Sequence, residues 1–244
     1  MLETLGDLEI ATKMLSKSKD LDVHPIDSAY NILKTKIVPI EPDHKDYKMI
    51  EKMIKQTHGP THTNYKLQIV DVFEIQREGE EEKYKKFSDL HNRRLLWHGS
   101  RSTNYMGILS QGLRIAPPEA PVTGYMFGKG VYFADIVSKS ANYCFSKDEG
   151  CLLLGEVALG DMYEIEHAEF IDGLKKTYKS TMGKGKHHPD PKDDVILENG
   201  TIVHTGKPVN QKGVTKNTSL LYNEFIVYDT SQILLKYMIR VKFV

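Results

Sequence analysis

The chain has 244 residues, 40% of them hydrophobic and 27% charged, which suits one large folded domain or one domain with a small appendage. Lysine plus arginine and aspartate plus glutamate are equal at 33 each. The zero net charge argues against a grip on nucleic acid through the overall field, so any such contact would come from other chain segments. Cys144 and Cys151 are the only cysteines and form no CxxC pair. This agrees with a reducing compartment and leaves a bridge between them open. No apolar run reaches membrane-spanning length and the amino end lacks a secretory pattern, so the expectation is a soluble intracellular protein.

In chain order, residues 1 to 18 carry an imperfect helical stripe through Leu2, Leu5, Leu8, Ile10, Met14 and Leu15, with acidic residues early. Residues 19 to 25 are a polar connection. Asp27 is placed to cap a helix running to about Lys36, and a further helix is expected from Asp46 to Thr57, before Gly59-Pro60. From Tyr65 to Ile75 apolar and polar residues mostly alternate, which is strand spacing. Ser102 is a cap for a helix to Gln111 with Gly112 as its stop, and Asp135 for another to about Phe145. Residues 152–159, 195–197, 225–228 and 234–244 read as strands. Between 172 and 217 the Lys, Gly, Pro and Asp content predicts long loops around short strands. Strands and helices do not alternate regularly, so the expected class is α+β: a mainly antiparallel β body with two short inserted helices.

Few residues point to chemistry unaided. His58 and His62 are separated by Gly59-Pro60, which spoils a helical metal pair, and His187-His188 sits in polar sequence and reads as solvated. Gly124-Tyr125-Met126-Phe127-Gly128-Lys129-Gly130 has the wrong spacing for a phosphate loop, though its glycines allow close approach to a flat ligand. Glu224 lies inside Leu220-Leu221-Tyr222-Asn223-Glu224-Phe225-Ile226-Val227-Tyr228. A single Glu in a strand normally faces solvent, while the alternative is a carboxylate held in a partly desolvated cleft. Tyr132 and Tyr143 are open between core and stacking roles, and Lys139 and Ser140 between an exposed face and a site. Leu95-Leu96-Trp97-His98-Gly99-Ser100-Arg101 turns from an apolar run, with the only tryptophan, into a polar cluster containing a glycine.

Taken together, that last segment, Gly130-Val131-Tyr132-Phe133-Ala134-Asp135 and the stretch around Glu224 closely resemble the catalytic region of the DNA-damage-type poly(ADP-ribose) polymerases, within the diphtheria-toxin-like ADP-ribosyltransferases. The resemblance runs from about residue 1 to the carboxyl terminus and is densest over 95 to 144. It implies an ADP-ribosyltransferase fold of two packed sheets over 19–244, preceded at 1–18 by the last helix of a regulatory helical subdomain. It implies a His–Tyr–Glu set at His98, Tyr132 and Glu224, with NAD+ as consumed substrate and no metal. By resemblance His98 binds the adenosine-side ribose, and Gly99 and Ser140 hold the nicotinamide amide. Tyr143 stacks on the ring with Tyr132 opposite, and Ser100, Asn104, Gly107 and Arg114 line the adenosine and diphosphate side. Tyr125, Met126 and Lys139 fall near the acceptor end.

The implied reaction cleaves the nicotinamide–ribose bond and transfers ADP-ribose to protein acceptors, the enzyme itself included. Glu224 favours polymer over single-unit transfer. A mono-ADP-ribosyltransferase and a non-catalytic NAD+ or ADP-ribose reader are the alternatives. The resemblance also implies a nuclear place in DNA repair, a protein partner that completes the site, DNA contact only through regions outside this chain, and no membrane. Residues 174–186 depart from the family's usual pattern. Without the upstream helices, activity is expected not to rise on adding nicked DNA.

Overall fold

The computed structural model describes Thr12, residues 24–117, Glu119 and residues 125–244. The expected helix over 1–18 lies outside the described residues, Thr12 excepted. Helix α1 is Pro25–Ile32, and His24, rather than Asp27, caps it: its Nδ1 accepts from the Ile26 amide at 3.3 Å. Pro25 has no amide to lose and a preset φ, so the helix starts before Asp27. It ends well short of Lys36, because Lys34 adopts φ +49° and strand β1, Thr35–Pro39, begins at once. Helix α2, Lys45–Gln56, forms where expected and buries Ile50, Met53 and Ile54 on one face. Such side chains contribute about 1.5–3 kcal/mol each when fully buried.

Strand β2 is Leu67–Arg77, followed by a short helix α3, Glu80–Tyr84, that the sequence pattern did not suggest. Strand β3, Arg93–Gly99, leads into a 3-10 turn at Ser102–Asn104 and then helix α4, Tyr105–Gln111. Ser102 therefore lies in the turn instead of capping the helix. Gly112 stops α4 as expected, at φ +84°. After β4, Val131–Phe133, comes α5, Val137–Ala141, which is shorter than expected because a 3-10 turn at Asn142–Cys144 replaces its last part.

The remaining strands are β5 Glu149–Ala158, β6 Met162–Ile165, β7 Ser180–Gly183, β8 Gly185–Pro189, β9 Val195–Ile196, β10 Ile202–Val203, β11 Pro208–Asn210, β12 Leu220–Tyr222, β13 Glu224–Val227 and β14 Ile233–Phe243. Seven strands form one sheet in the order β1-β2-β14-β5-β3-β10-β9, and four form another in the order β4-β13-β7-β6. A third sheet, β11-β8-β12, adds to the two expected ones and takes in His187 and His188. Those histidines are half-buried strand residues rather than solvated loop residues.

Pairing is mainly antiparallel, with parallel contacts at β3–β10, β6–β7 and β8–β12. The middle of the seven-stranded sheet is covered on both faces, so Leu95-Leu96-Trp97 of β3 and Leu152-Leu153-Leu154 of β5 are apolar and buried at every position. Leu95, Trp97, Leu152 and Leu154 face one core with α2, while Leu96 and Leu153 face the other with α4. Phe133 and Phe225 of the four-stranded sheet complete that second core. Cys144 and Cys151 are free thiols, and burial pushes Cys144 up to about 12.

Candidate active site

Two backbone hydrogen bonds join the large sheet to the four-stranded one. The Trp97 amide donates to Ala134 O at 2.9 Å, and the Ala134 amide donates to Trp97 O at 3.0 Å. Trp97 itself is fully buried, so its side chain is packing. The residues on either side of this join form the candidate site.

On the β3 side, His98 Nδ1 lies 2.9 Å from Tyr132 O. A carbonyl only accepts, so Nδ1 carries the proton and Nε2 of the neutral ring is left as an acceptor. Burial holds the His98 pKa below the ordinary value. Gly99 is obligatory: a Cβ there would lie 1.8 Å from Ser140 O. Ser140 is buried and its hydroxyl donates to Trp97 O at 2.9 Å, which leaves its oxygen free to accept from a ligand amide. Asn104 Nδ2 donates to Ser100 Oγ at 3.0 Å, so these two residues are brought together. Gly107 is buried one turn into α4, and Arg114 is exposed beyond the helix end.

On the other side, β13 pairs with β4 through Phe225↔Phe133 and Ile226↔Tyr132. Alternation then places Glu224, Ile226 and Tyr132 on one face. The opposite face, with Phe225 and Val227, is core, so neither side of β13 faces solvent. Glu224 is buried, which removes the solvent-facing reading. Its Oε1 lies 2.9 Å from Lys139 Nζ, and the same ammonium donates to Tyr222 O at 2.9 Å. Burial lowers the Lys139 pKa, and the Glu224 carboxylate opposes that shift. Lys139 thus lies against Glu224 and is not an exposed helix face.

Tyr132 is also tied to the neighbouring loop. Its hydroxyl donates to Gly128 O at 2.7 Å and accepts from the Phe127 amide at 3.0 Å, buttressing the glycine-containing loop. The glycines at 128 and 130 serve packing against protein. A Cβ at Gly128 would meet Ile171 O at 2.1 Å, and one at Gly130 would meet Ile226 Cγ2 at 2.5 Å. Tyr125 stands tilted to Tyr132 at 6.2 Å between ring centres, with half-buried Met126 beside it. Tyr143 is 52% exposed, leaving its ring accessible to a flat ligand. Burial first and the Glu224 charge second raise its pKa, so the Tyr143 hydroxyl and the carboxylate share one electrostatic environment.

His58 and His62 are engaged elsewhere, His58 Nε2 with His62 O at 2.7 Å and His62 Nδ1 with Ser138 Oγ at 2.7 Å. Among the described residues no group of three His, Cys, Asp or Glu is placed to hold a metal ion. No helix among them is long and apolar enough to cross a membrane.

The poly(ADP-ribose) polymerase catalytic domain family matches residues 44–243, most of the chain. The chain belongs to that family. It is 52% identical to poly [ADP-ribose] polymerase 1 of Gallus gallus and 49% identical to poly [ADP-ribose] polymerase of Sarcophaga peregrina. Both matches cover 100% of this chain, but 24% and 25% of those proteins. Poly [ADP-ribose] polymerase 2-A of Oryza sativa subsp. japonica is 49% identical over 100% of this chain and 37% of its own length. The chain therefore spans a quarter to about two fifths of these relatives.

Two buried polar residues escaped the sequence reading. Asp135 does not cap α5; it accepts from Asn223 Nδ2 at 2.8 Å, 88 positions away in sequence. The only signal was an amide directly before the glutamate in an apolar stretch.

Proposed function

We propose that this chain cleaves the nicotinamide–ribose bond of NAD+ and transfers the ADP-ribosyl group to protein side chains, its own among them, extending it into polymer. The observation that carries the reading is the buried Glu224, held by Lys139 on the same sheet face as Tyr132 and across the join from His98, Gly99 and Ser140. On this reading Ser140 Oγ accepts from the carboxamide while Gly99 supplies backbone groups, and Tyr143 and Tyr132 flank the ring. His98 Nε2 accepts from a ribose hydroxyl, and Ser100, Asn104, Gly107 and Arg114 flank the adenosine and diphosphate.

Bond cleavage builds positive charge on the ribose, as in glycoside cleavage. Glu224 binds the ribose 2′-hydroxyl, stabilises that charge and orients the incoming acceptor hydroxyl. Lys139 fixes which carboxylate oxygen is available, and Tyr125 and Met126 border the acceptor entry. The same reading assigns residues 1–18 to the last helix of an upstream helical subdomain and places the protein in the nucleus, in DNA repair. A protein partner completes the acceptor side, and DNA is engaged through other chain segments.

The test is incubation with labelled NAD+, comparing the chain with Glu224→Gln. Loss of a preorganised group of this type costs ~10²–10³ in turnover. Unchanged polymer from the variant would overturn the role of Glu224. Single-unit product from the unmodified chain would favour mono-transfer.

A further inference from the structure

We infer that Asn223 and Asp135 form a positioning pair that sets the direction of the Glu224 carboxylate, an inference that rests on the proposed transfer reaction. Both side chains are buried, 1% and 3% exposed. The Gly185 amide donates to Asn223 Oδ1 at 2.9 Å, and a backbone amide can only donate. The side-chain amide therefore has one orientation, with Nδ2 turned to Asp135 Oδ2 at 2.8 Å, where it requires an acceptor.

Three consecutive residues are tied in this way to the short segment that runs from β4 into α5. Tyr222 O accepts from Lys139, Asn223 donates to Asp135, and Glu224 pairs with Lys139. Gly185 closes the clamp from the other side, for a Cβ there would fall 2.5 Å from Tyr222 Cα. The residue that carries the reaction thus begins a strand whose entry is fixed at every position.

The pair is retained against a physical cost. Asp135 Oδ1 is buried and makes no hydrogen bond among the described residues. Burial pushes the Asp135 carboxyl upward, opposed by the charges of His204, Arg94 and Lys139 and by the Asn223 bond. A buried carboxylate with an unsatisfied oxygen is destabilising relative to an apolar pair of similar shape. A positional role next to the reacting group accounts for it. Arg94 strengthens the link, since its guanidinium lies over the Phe225 ring at 5.2 Å, one residue beyond Glu224.

The experiment exchanges the two groups. Asn223→Asp alone sets two carboxylates face to face, where they cannot both stay charged without moving apart. The double variant Asp135→Asn/Asn223→Asp rebuilds the contact with reversed polarity: the new amide donates to the new carboxylate, which still accepts from Gly185. Nicotinamide release should show kcat lowered about 10- to 100-fold in Asn223→Asp, the scale of an ångström misplacement. KM for NAD+ should stay close to that of the unmodified chain, and the exchange should recover most of kcat. A fully active Asn223→Asp, a loss confined to KM, or a folded double variant no better than the single one would overturn the inference. If the single variant does not fold, kcat of the double variant decides alone. An unmodified chain that releases no nicotinamide would instead overturn the proposed reaction.

Discussion

Gly99→Ala is the sharpest test of how the cleft is built. The new methyl would lie 1.8 Å from Ser140 O and 2.7 Å from Ser140 C, both backbone atoms that no rotamer change can move aside. Real Cβ contacts essentially never fall under 3.0 Å, so β3 and α5 must part by more than an ångström. Overpacking of this kind costs about 1–3 kcal/mol. The separation also stretches the 2.9 Å bond from Ser140 Oγ to Trp97 O, whose loss adds about 0.5–1.5 kcal/mol. For a chain of this size each kcal/mol shifts Tm by about 2–4 °C, so a fall of about 3–18 °C is expected. Turnover should fall on the order of 10²-fold, because on the proposed reading the nicotinamide amide is held from both sides of the widened gap. The assay pairs thermal unfolding by circular dichroism with nicotinamide release. Gly79→Ala is the control: it has φ +74° but nothing within 4 Å, so it should lose about 1 kcal/mol and keep full turnover. A Gly99→Ala chain that melts and turns over like the parent would refute the reasoning.

Lys139→Met removes the partner of Glu224 and should lower turnover at least about tenfold, with little further loss when combined with Glu224→Gln, because the two act as one unit. Losses that multiply in a double-mutant cycle would contradict this. Burial holds His98 below 6.5, so as pH falls through that value the unfolded chain takes up the proton first and the fold loses stability. The drop in Tm between about pH 7.5 and 5.5 should be smaller in His98→Gln, and equal drops would count against the assigned cause. The Cys144 thiol, pushed up to about 12 and directed at Cys151 O, should resist iodoacetamide in the folded chain and react readily in urea. Fast labelling of the native protein, read by mass spectrometry, would show otherwise.

The candidate site was legible through a family resemblance carried by three short segments, of which the His98–Gly99 turn was the clearest. The rest depended on facts that no local pattern carries. Glu224 looked like a solvent-facing strand residue because one strand does not reveal what covers its second face; here Ile226 and Tyr132 meet a small core around Phe127 there. Lys139 sits on a helix of only five residues, too short for periodicity to say which side is inside. Asp135 preceded a helix and so had the ordinary signature of a cap. Its partner lies across the fold, and long-range pairs between polar residues leave no spacing to find. The third sheet escaped for a related reason: its strands have three to five residues each, below the length at which alternation becomes a signal.

The two backbone bonds between Trp97 and Ala134 mark the seam between the two sheets that carry the candidate site. On the proposed reading, most residues that would grip the dinucleotide cluster around β3 and α5, whereas the carboxylate that would act on it belongs to the four-stranded sheet. On that reading affinity and turnover are written largely on different parts of the scaffold. Substitutions behind β13 can retune what happens to the ribose, or what receives it, with the hold on the dinucleotide kept. Changes that shear the join itself lose register between the two halves and should sacrifice both properties together.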